Sequence, residues 1–385
     1  MNDFTLIRKN LFRKKMRAIL LIFSIMIAFF IFSAIGSFNR VLNAGVELAA
    51  ADRLLTMNST GFTQSLPYAY WGRVQGVEGV RNASIMNWFG GYYQEPIQVV
   101  QSFAVDPETF LAAYPEFLMP DDQREAFLTQ RDCLLVGQTL ATKYGWSVGD
   151  RVPLLSNIWQ KTDGSSSWDF DICAIYTGSE PEMATAAAYL NYEYYNEALA
   201  FNKDRVGMIV VNTTDSMLND QIANEIDDMF ANSAAQTNTA TEAAFSQAFI
   251  NQIGNIGLIL IYVIGAAFGI ILLIVGTSLV LAISERTKEF AVMKTLGFPG
   301  QRIFRMVLVE SVLLSLVGGL VGVGLAALVL QVMAPQLASV MPGLVVTPGI
   351  FGVALALMIG FGVVTGIAPA MNAHRVRIVD ALGKQ

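Results

Sequence analysis

Residues 284–303 read SERTKEFAVMKTLGFPGQRI, a short charged stretch between two apolar runs that are each long enough to cross a bilayer. Glu285, Arg286, Lys288, Glu289 and Lys294 carry charge, while Phe290, Met293 and Leu296 fall three apart on an apolar stripe, so the first half reads as a helix. Gly297 supplies a left-handed stop, and Pro299 prevents continuation. So short a segment has no room for a domain. It can form one helix under the membrane that offers a mixed charged and apolar surface to another component.

Outward from this stretch, apolar runs occupy 18–38, 256–283, 306–333 and 348–372, each near the length of about 20 residues that a span requires. The chain is 54% hydrophobic and 15% charged, with mean hydropathy +0.47, which excludes an ordinary soluble enzyme. The spans enclose a large insert at 39–255, the charged loop 284–305, a short loop 334–347 and a tail 373–385. In segment 1–17, Phe4, Ile7 and Leu11 share a face ringed by Lys and Arg, as in a helix lying in the membrane interface. The apolar run that follows lacks a small-residue cleavage site and reads as an uncleaved anchor.

Charge orients these elements. Fourteen of the 25 basic residues lie in 1–17, 284–310 and the tail, where the net charge is +9; residues 39–283 carry −15. The positive-inside bias places both termini and the 284–305 loop in the cytoplasm and the insert outside; the expected location is the cell inner (plasma) membrane. The basic segments are topology signals rather than a nucleic-acid surface.

Within the insert, Arg53–Met57 predicts a strand, and Asp106-Pro107 predicts a capped helix start. Leu218, Ile222, Ile226 and Met229 mark an amphipathic helix. Residues 120–131 read as a polar loop, and from Ala243 a helical pattern runs unbroken into the second span as a stalk. The fold class expected is an integral membrane α-helical protein with four transmembrane helices and a large α+β extracytoplasmic domain, of one or two lobes, between helices 1 and 2.

The sequence carries little catalytic chemistry. His374 is its one histidine, and it reads as an interface anchor; no metal site is expected. Cys133 and Cys173 read as buried free thiols on strands, with a disulfide as the alternative that an external compartment permits. No G-x-x-x-x-G-K-[ST] motif occurs. Glu310 is the only charge inside the spans, reaching water or an arginine such as Arg302 or Arg305, so no ion relay crosses the membrane. Gly318, Gly319 and Gly322 are the candidate positions for close helix packing.

The order of one span, a large external domain and three spans resembles the MacB- and FtsX-like permease family of ABC transporters, the mechanotransmission type. ERTKEFAVMKTLGF resembles the family's coupling-helix loop and GIAPAMNAHRVRIVDAL its fourth-span exit, although Ile378-Val379 stand where proline is common. GVEGVRNAS, AVDPETF and LLVGQTLATKYGWSVGDRVPL resemble pieces of the MacB-type periplasmic core domain. The resemblance implies a permease subunit, not itself an enzyme and without a cofactor of its own. ATP and Mg would be on a separate cytoplasmic ABC ATPase, and motion would pass from there to the periplasmic domain to export or extrude a substrate. It further implies a second permease (homodimer or paralogue) and, in a tripartite efflux assembly, a periplasmic adaptor and an outer-membrane channel. A lipoprotein-releasing, Lol-like permease and an FtsX-like regulator of a cell-wall hydrolase are the alternatives. By position, Arg286, Glu289, Phe290, Met293, Lys294 and Gly297 are the expected ATPase contacts, with apolar Phe290 and Met293 dominant.

Overall fold

The computed structural model describes residues 15–376 except 62, 181–182, 253–255, 338–340 and 342, so the helix expected in 1–17 and most of the tail lie outside the described residues. The chain divides into two units, one of residues 1–40, 255–335 and 344–385, the other of 41–254 and 336–343.

Helix α1 (Lys15–Glu47) opens the described chain. The inserted domain then runs through β1 (Arg53–Asn58), β2 (Leu66–Pro67), α2 (Ala69–Gln75), β3 (Val80–Trp88), β4 (Gly91–Tyr92) and β5 (Val99–Val105). Next come α3 (Pro107–Ala113), β6 (Phe117–Leu118), α4 (Asp121–Thr129), β7 (Cys133–Gly137), α5 (Gln138–Tyr144), β8 (Arg151–Ser156) and β9 (Ser167–Gly178). It ends with β10 (Ala187–Asn191), α6 (Tyr192–Ala198), β11 (Arg205–Val206), β12 (Met208–Thr213), α7 (Asn219–Phe230), β13 (Thr237–Thr241) and α8 (Glu242–Gln252).

The main sheet has two parts. Strands β10, β7, β9, β8, β4 and β5 pair in that order, and β10 then pairs β5 again, in parallel, to close a ring. From β5 the sheet continues open through β3, β12, β1 and β13. Closure removes two strand edges that would otherwise be left unpaired. Along β7 the pleat alternates: Leu134 and Val136 enter the cluster holding Phe89, Trp168 and Phe170, while Cys133 and Leu135 enter the one holding Phe110, Phe117 and Tyr176. Each fully buried phenylalanine here contributes roughly 1.5–3 kcal/mol.

Two expectations are corrected in this domain. Residues 121–129 are helical, with Asp121 and Asp122 in the first turn and Phe127 fully buried; one apolar anchor in a polar segment gives too weak a periodicity to read. Cys133 and Cys173 are not free thiols but a disulfide, with Cα atoms 5.4 Å apart. The cause is a register shift: Leu134 faces Ile172 but Leu135 faces Ala174, so Cys173 is the extra residue of a β-bulge and turns to the side of Cys133. The capped start at Asp106 is present, its side chain accepting from the Thr109 amide at 3.0 Å. Helix α8 ends at Gln252, and the join to the second span falls outside the described residues.

The membrane unit holds α1 and three further helices long and apolar enough to span: α9 (Ile256–Glu285), α11 (Gly300–Leu337) and α12 (Pro348–Arg375), with the short α10 (Thr287–Thr295) between α9 and α11. Phe29 of α1 meets Phe268 of α9 and Phe361 of α12 edge-on, at centroid distances of 5.2 and 6.5 Å. Three glycines of α11 lie against neighbouring helices. A Cβ on Gly318 would strike Ile25 and the Ile22 carbonyl, one on Gly322 would enter the α1 backbone at Met26, and one on Gly319 would overlap Met358 of α12. Close approach of small residues is the packing mode that lipid favours. Ser315 adds a hydrogen bond from its hydroxyl to the Met358 carbonyl at 2.7 Å. Against this, only 11% of the apolar window in α9 is buried, compared with 39% in α11.

Candidate functional site

The charged segment folds as read, into α10, and ends in a Schellman motif. Gly297 has φ +89°, its amide bonds the Lys294 carbonyl, and the Phe298 amide bonds the Met293 carbonyl, both at 3.1 Å. Space around Gly297 is open, so it is the positive φ, not crowding, that selects glycine there.

Four links fasten α10 and its flanks to the ends of the spans. Arg17 of α1 forks onto Glu285 at the end of α9, at 2.9 and 2.8 Å. Arg286 reaches both Glu310 oxygens on α11 at 3.3 Å, with both side chains largely buried. Lys294 donates to the carbonyls of His374 and Val376 at the end of α12, both at 2.7 Å. These are carbonyls that a helix end leaves without intrahelical partners, and a lysine suits the negative end of the dipole. Fourth, Phe290 sits in an apolar cluster with Ile283 of α9, Ile303 and Val307 of α11, and Ala370 and Ala373 of α12, and Ala291 beside it is also buried. The segment thus touches all four spans.

This geometry separates the residues singled out by position. Phe290 is 5% exposed, so it anchors the helix rather than facing a partner, and Met293 is half-buried against the same cluster. Arg286 and Lys294 are engaged with α11 and α12, and Glu289 is half-buried and also engaged. Glu310 pairs with Arg286 rather than with Arg302 or Arg305, which precede it on its own helix by eight and five residues, off the i,i+3 and i,i+4 spacing that brings side chains together. The open face is a different set: Lys288, Val292, Thr295 and Leu296, with Val292 47% and Leu296 71% exposed. The signal for them was in the sequence. At about 100° per residue, Phe290 and Leu296 lie about 120° apart, whereas Lys288, Val292, Thr295 and Leu296 follow the 3–4 spacing of a single face. His374 packs beside Gly300, whose added Cβ would meet its Nδ1 at 2.8 Å. No group of three or more His, Cys, Asp or Glu side chains suited to a metal occurs among the described residues.

Two family profiles match the chain: the MacB-like periplasmic core domain over residues 18–229 and the FtsX-like permease C-terminal region over 259–377. The ABC transporter permease YknZ of Bacillus subtilis (strain 168) is 34% identical over 138 residues, 34% of this chain and 33% of that one. The macrolide export ATP-binding/permease protein MacB of Neisseria gonorrhoeae is 33% identical over 106 residues, 28% of this chain and 16% of that one. The matched parts of the chain therefore span a third or less of these relatives. The solved extracellular domain of YknZ from Gram-positive bacteria aligns with 49% of this chain and 98% of its own length, at 11% identity and a TM-score of 0.36.

Proposed function

Because the chain belongs to the family of MacB-like and FtsX-like ABC transporter permeases, we propose that it is the membrane subunit through which a separate ATPase drives the inserted domain, on the far side of the membrane, to export a substrate. One observation carries this reading. Helix α10 and its flanking residues are tied to every span, to α1 by way of Glu285 at the end of α9, while the helix leaves one face, Lys288, Val292, Thr295 and Leu296, unoccupied. A push on that face is delivered to all four helices together. The dominant ATPase contact is Leu296 with Val292, and Phe290 acts behind them by holding the helix in place.

Two independent features support an external position for the inserted domain and a cytoplasmic one for α10. The charge split is one. The other is the Cys133–Cys173 disulfide, a bond that persists in oxidising compartments and is rare in reducing ones. The sparsely buried α9 leaves apolar surface for a second permease subunit. A periplasmic adaptor and an outer-membrane channel complete the proposed export route.

The test is co-purification of the tagged chain in mild detergent, beside Leu296→Asp. The five tryptophans all lie between residues 71 and 168, so their emission reports the fold of the inserted domain alone. An ATPase should co-purify with the native chain and fall by about tenfold or more with Leu296→Asp, as for a central apolar contact, with tryptophan emission unchanged. An ATPase retained in full by the variant removes α10 as the coupling element. No ATPase with the native chain removes the proposed function.

A further inference from the structure

Arg53 is the first residue of β1, and its side chain is 3% exposed. Its guanidinium makes four contacts at once. Nη1 donates to Glu242 Oε2 at 2.9 Å. Nη2 donates to Glu116 Oε2 at 3.0 Å and to the Ala113 carbonyl at 2.8 Å. The plane lies over the Tyr114 ring, 4.0 Å from its centroid. Each partner has a place in the fold. Glu242 is the first residue of α8, the helix that leads out of the domain. Ala113 ends α3, and Tyr114 to Glu116 form the turn into β6. The strands beneath run side by side, since β1 pairs β13 antiparallel with Leu54 opposite Thr241.

Arg53 therefore stands where the chain enters the domain, and it holds the residue where the chain leaves. A buried guanidinium with two carboxylates is costly to desolvate, and apolar residues of like volume would often stabilise a core as well or better. Fixing a geometry is the use such a group is best suited to, and a planar fork holds its donors in set directions, whereas the three donors of a lysine rotate about a flexible stem.

We infer that Arg53 is a positioning residue that locks the entering and leaving segments of the inserted domain to each other and to the α3–β6 turn, so that displacement of either segment reaches the sheet as movement of one body. The inference rests on the proposed function for its purpose, but the lock itself is testable without any ATPase.

The test uses the full-length chain in lipid nanodiscs. Both native cysteines are engaged with each other, so spin labels can be attached at cysteines introduced for Leu48 and Gln247, exposed positions on the entering and leaving segments. Their distance distribution is measured by pulsed electron resonance in the native background, in Arg53→Lys and in Glu242→Gln. A control pair at Val148 and Asp163, also exposed, reports the ring portion of the sheet. The native pair should give one narrow distribution, and either variant should broaden it about twofold or more, the freed segments sampling local openings, while the control pair and tryptophan emission stay as in the native chain. An unchanged Leu48–Gln247 distribution in Glu242→Gln, which retains the arginine and the shape of its partner, overturns the lock, whatever Arg53→Lys does. Equal broadening of both pairs also overturns it, because it would mean general loosening. Absence of an ATPase from the co-purification would remove the proposed function and leave this result standing.

Discussion

Arg53 in the inserted domain and Arg286 beside α10 both bind glutamate, in different surroundings. Arg53 is enclosed, with two carboxylates, a carbonyl and an aromatic face within reach. Arg286 meets Glu310 through longer bonds of 3.3 Å, and its neighbouring link, Arg17 to Glu285, is 25% and 37% exposed. The enclosed junction engages both Nη atoms of the guanidinium and leaves Nε buried without a partner. The membrane-edge links are spread over separate side chains, and the Arg17–Glu285 pair among them is exposed enough to be exchanged for water at small cost, which on the proposed function suits a segment that transmits a push and resets. On the proposed function, the domain end is the one built to stay fixed and the α10 end the one built to yield.

The largest test of that contrast is Arg53→Leu, which strands Glu242 and Glu116 without their cation. It should cost about 3–5 kcal/mol, read as a lower melting midpoint of tryptophan emission in the full-length chain. A loss below about 1 kcal/mol would put Arg53 in the same class as the membrane-edge links. Next in size is a pH effect. Burial, reinforced by Glu242, raises the Tyr114 hydroxyl well above its usual range, and burial raises Tyr176 and Tyr189 likewise. The unfolded chain releases these protons near pH 10, before the folded one does, so stability is intact below about pH 10 and is lost as pH rises beyond it, by up to about 1.4 kcal/mol per group per pH unit. Residues 284–303 hold no tyrosine, so the α10 end should not share the loss. Hydrogen exchange of that segment, compared with tryptophan melting across pH 9–11, checks both halves. The smallest effect is Arg17→Ala, at about 0–1 kcal/mol and shrinking with salt. It should speed exchange in α10 only slightly at low ionic strength; a large effect would mean that the end built to yield is in fact locked.

Much of this was legible in the sequence, and the part that was not has physical causes. Apolar length announces a span directly, and Gly297 with Pro299 announces the end of α10. Closure of the ring through the β10–β5 pairing is not local information, because strands about 80 residues apart must find one register. The disulfide escaped for the same reason: alternation alone sends Cys133 and Cys173 wherever the register sends them, and a single bulged residue decides it. At α10 the apolar stripe of Phe290, Met293 and Leu296 was read at a spacing of three, which drifts around the helix. Which end of that stripe is inside depends on α9, α11 and α12.

The pairing of β1 with β13 has a consequence for the history of such chains. The two ends of the inserted domain, Arg53 and Glu242, are neighbours in space though separated by nearly the whole domain in sequence. A domain whose ends meet can be spliced into a loop between two helices without prying them apart. The same boundary would let one such domain be exchanged for another on an unchanged set of spans, so the spans and the inserted domain could diversify separately.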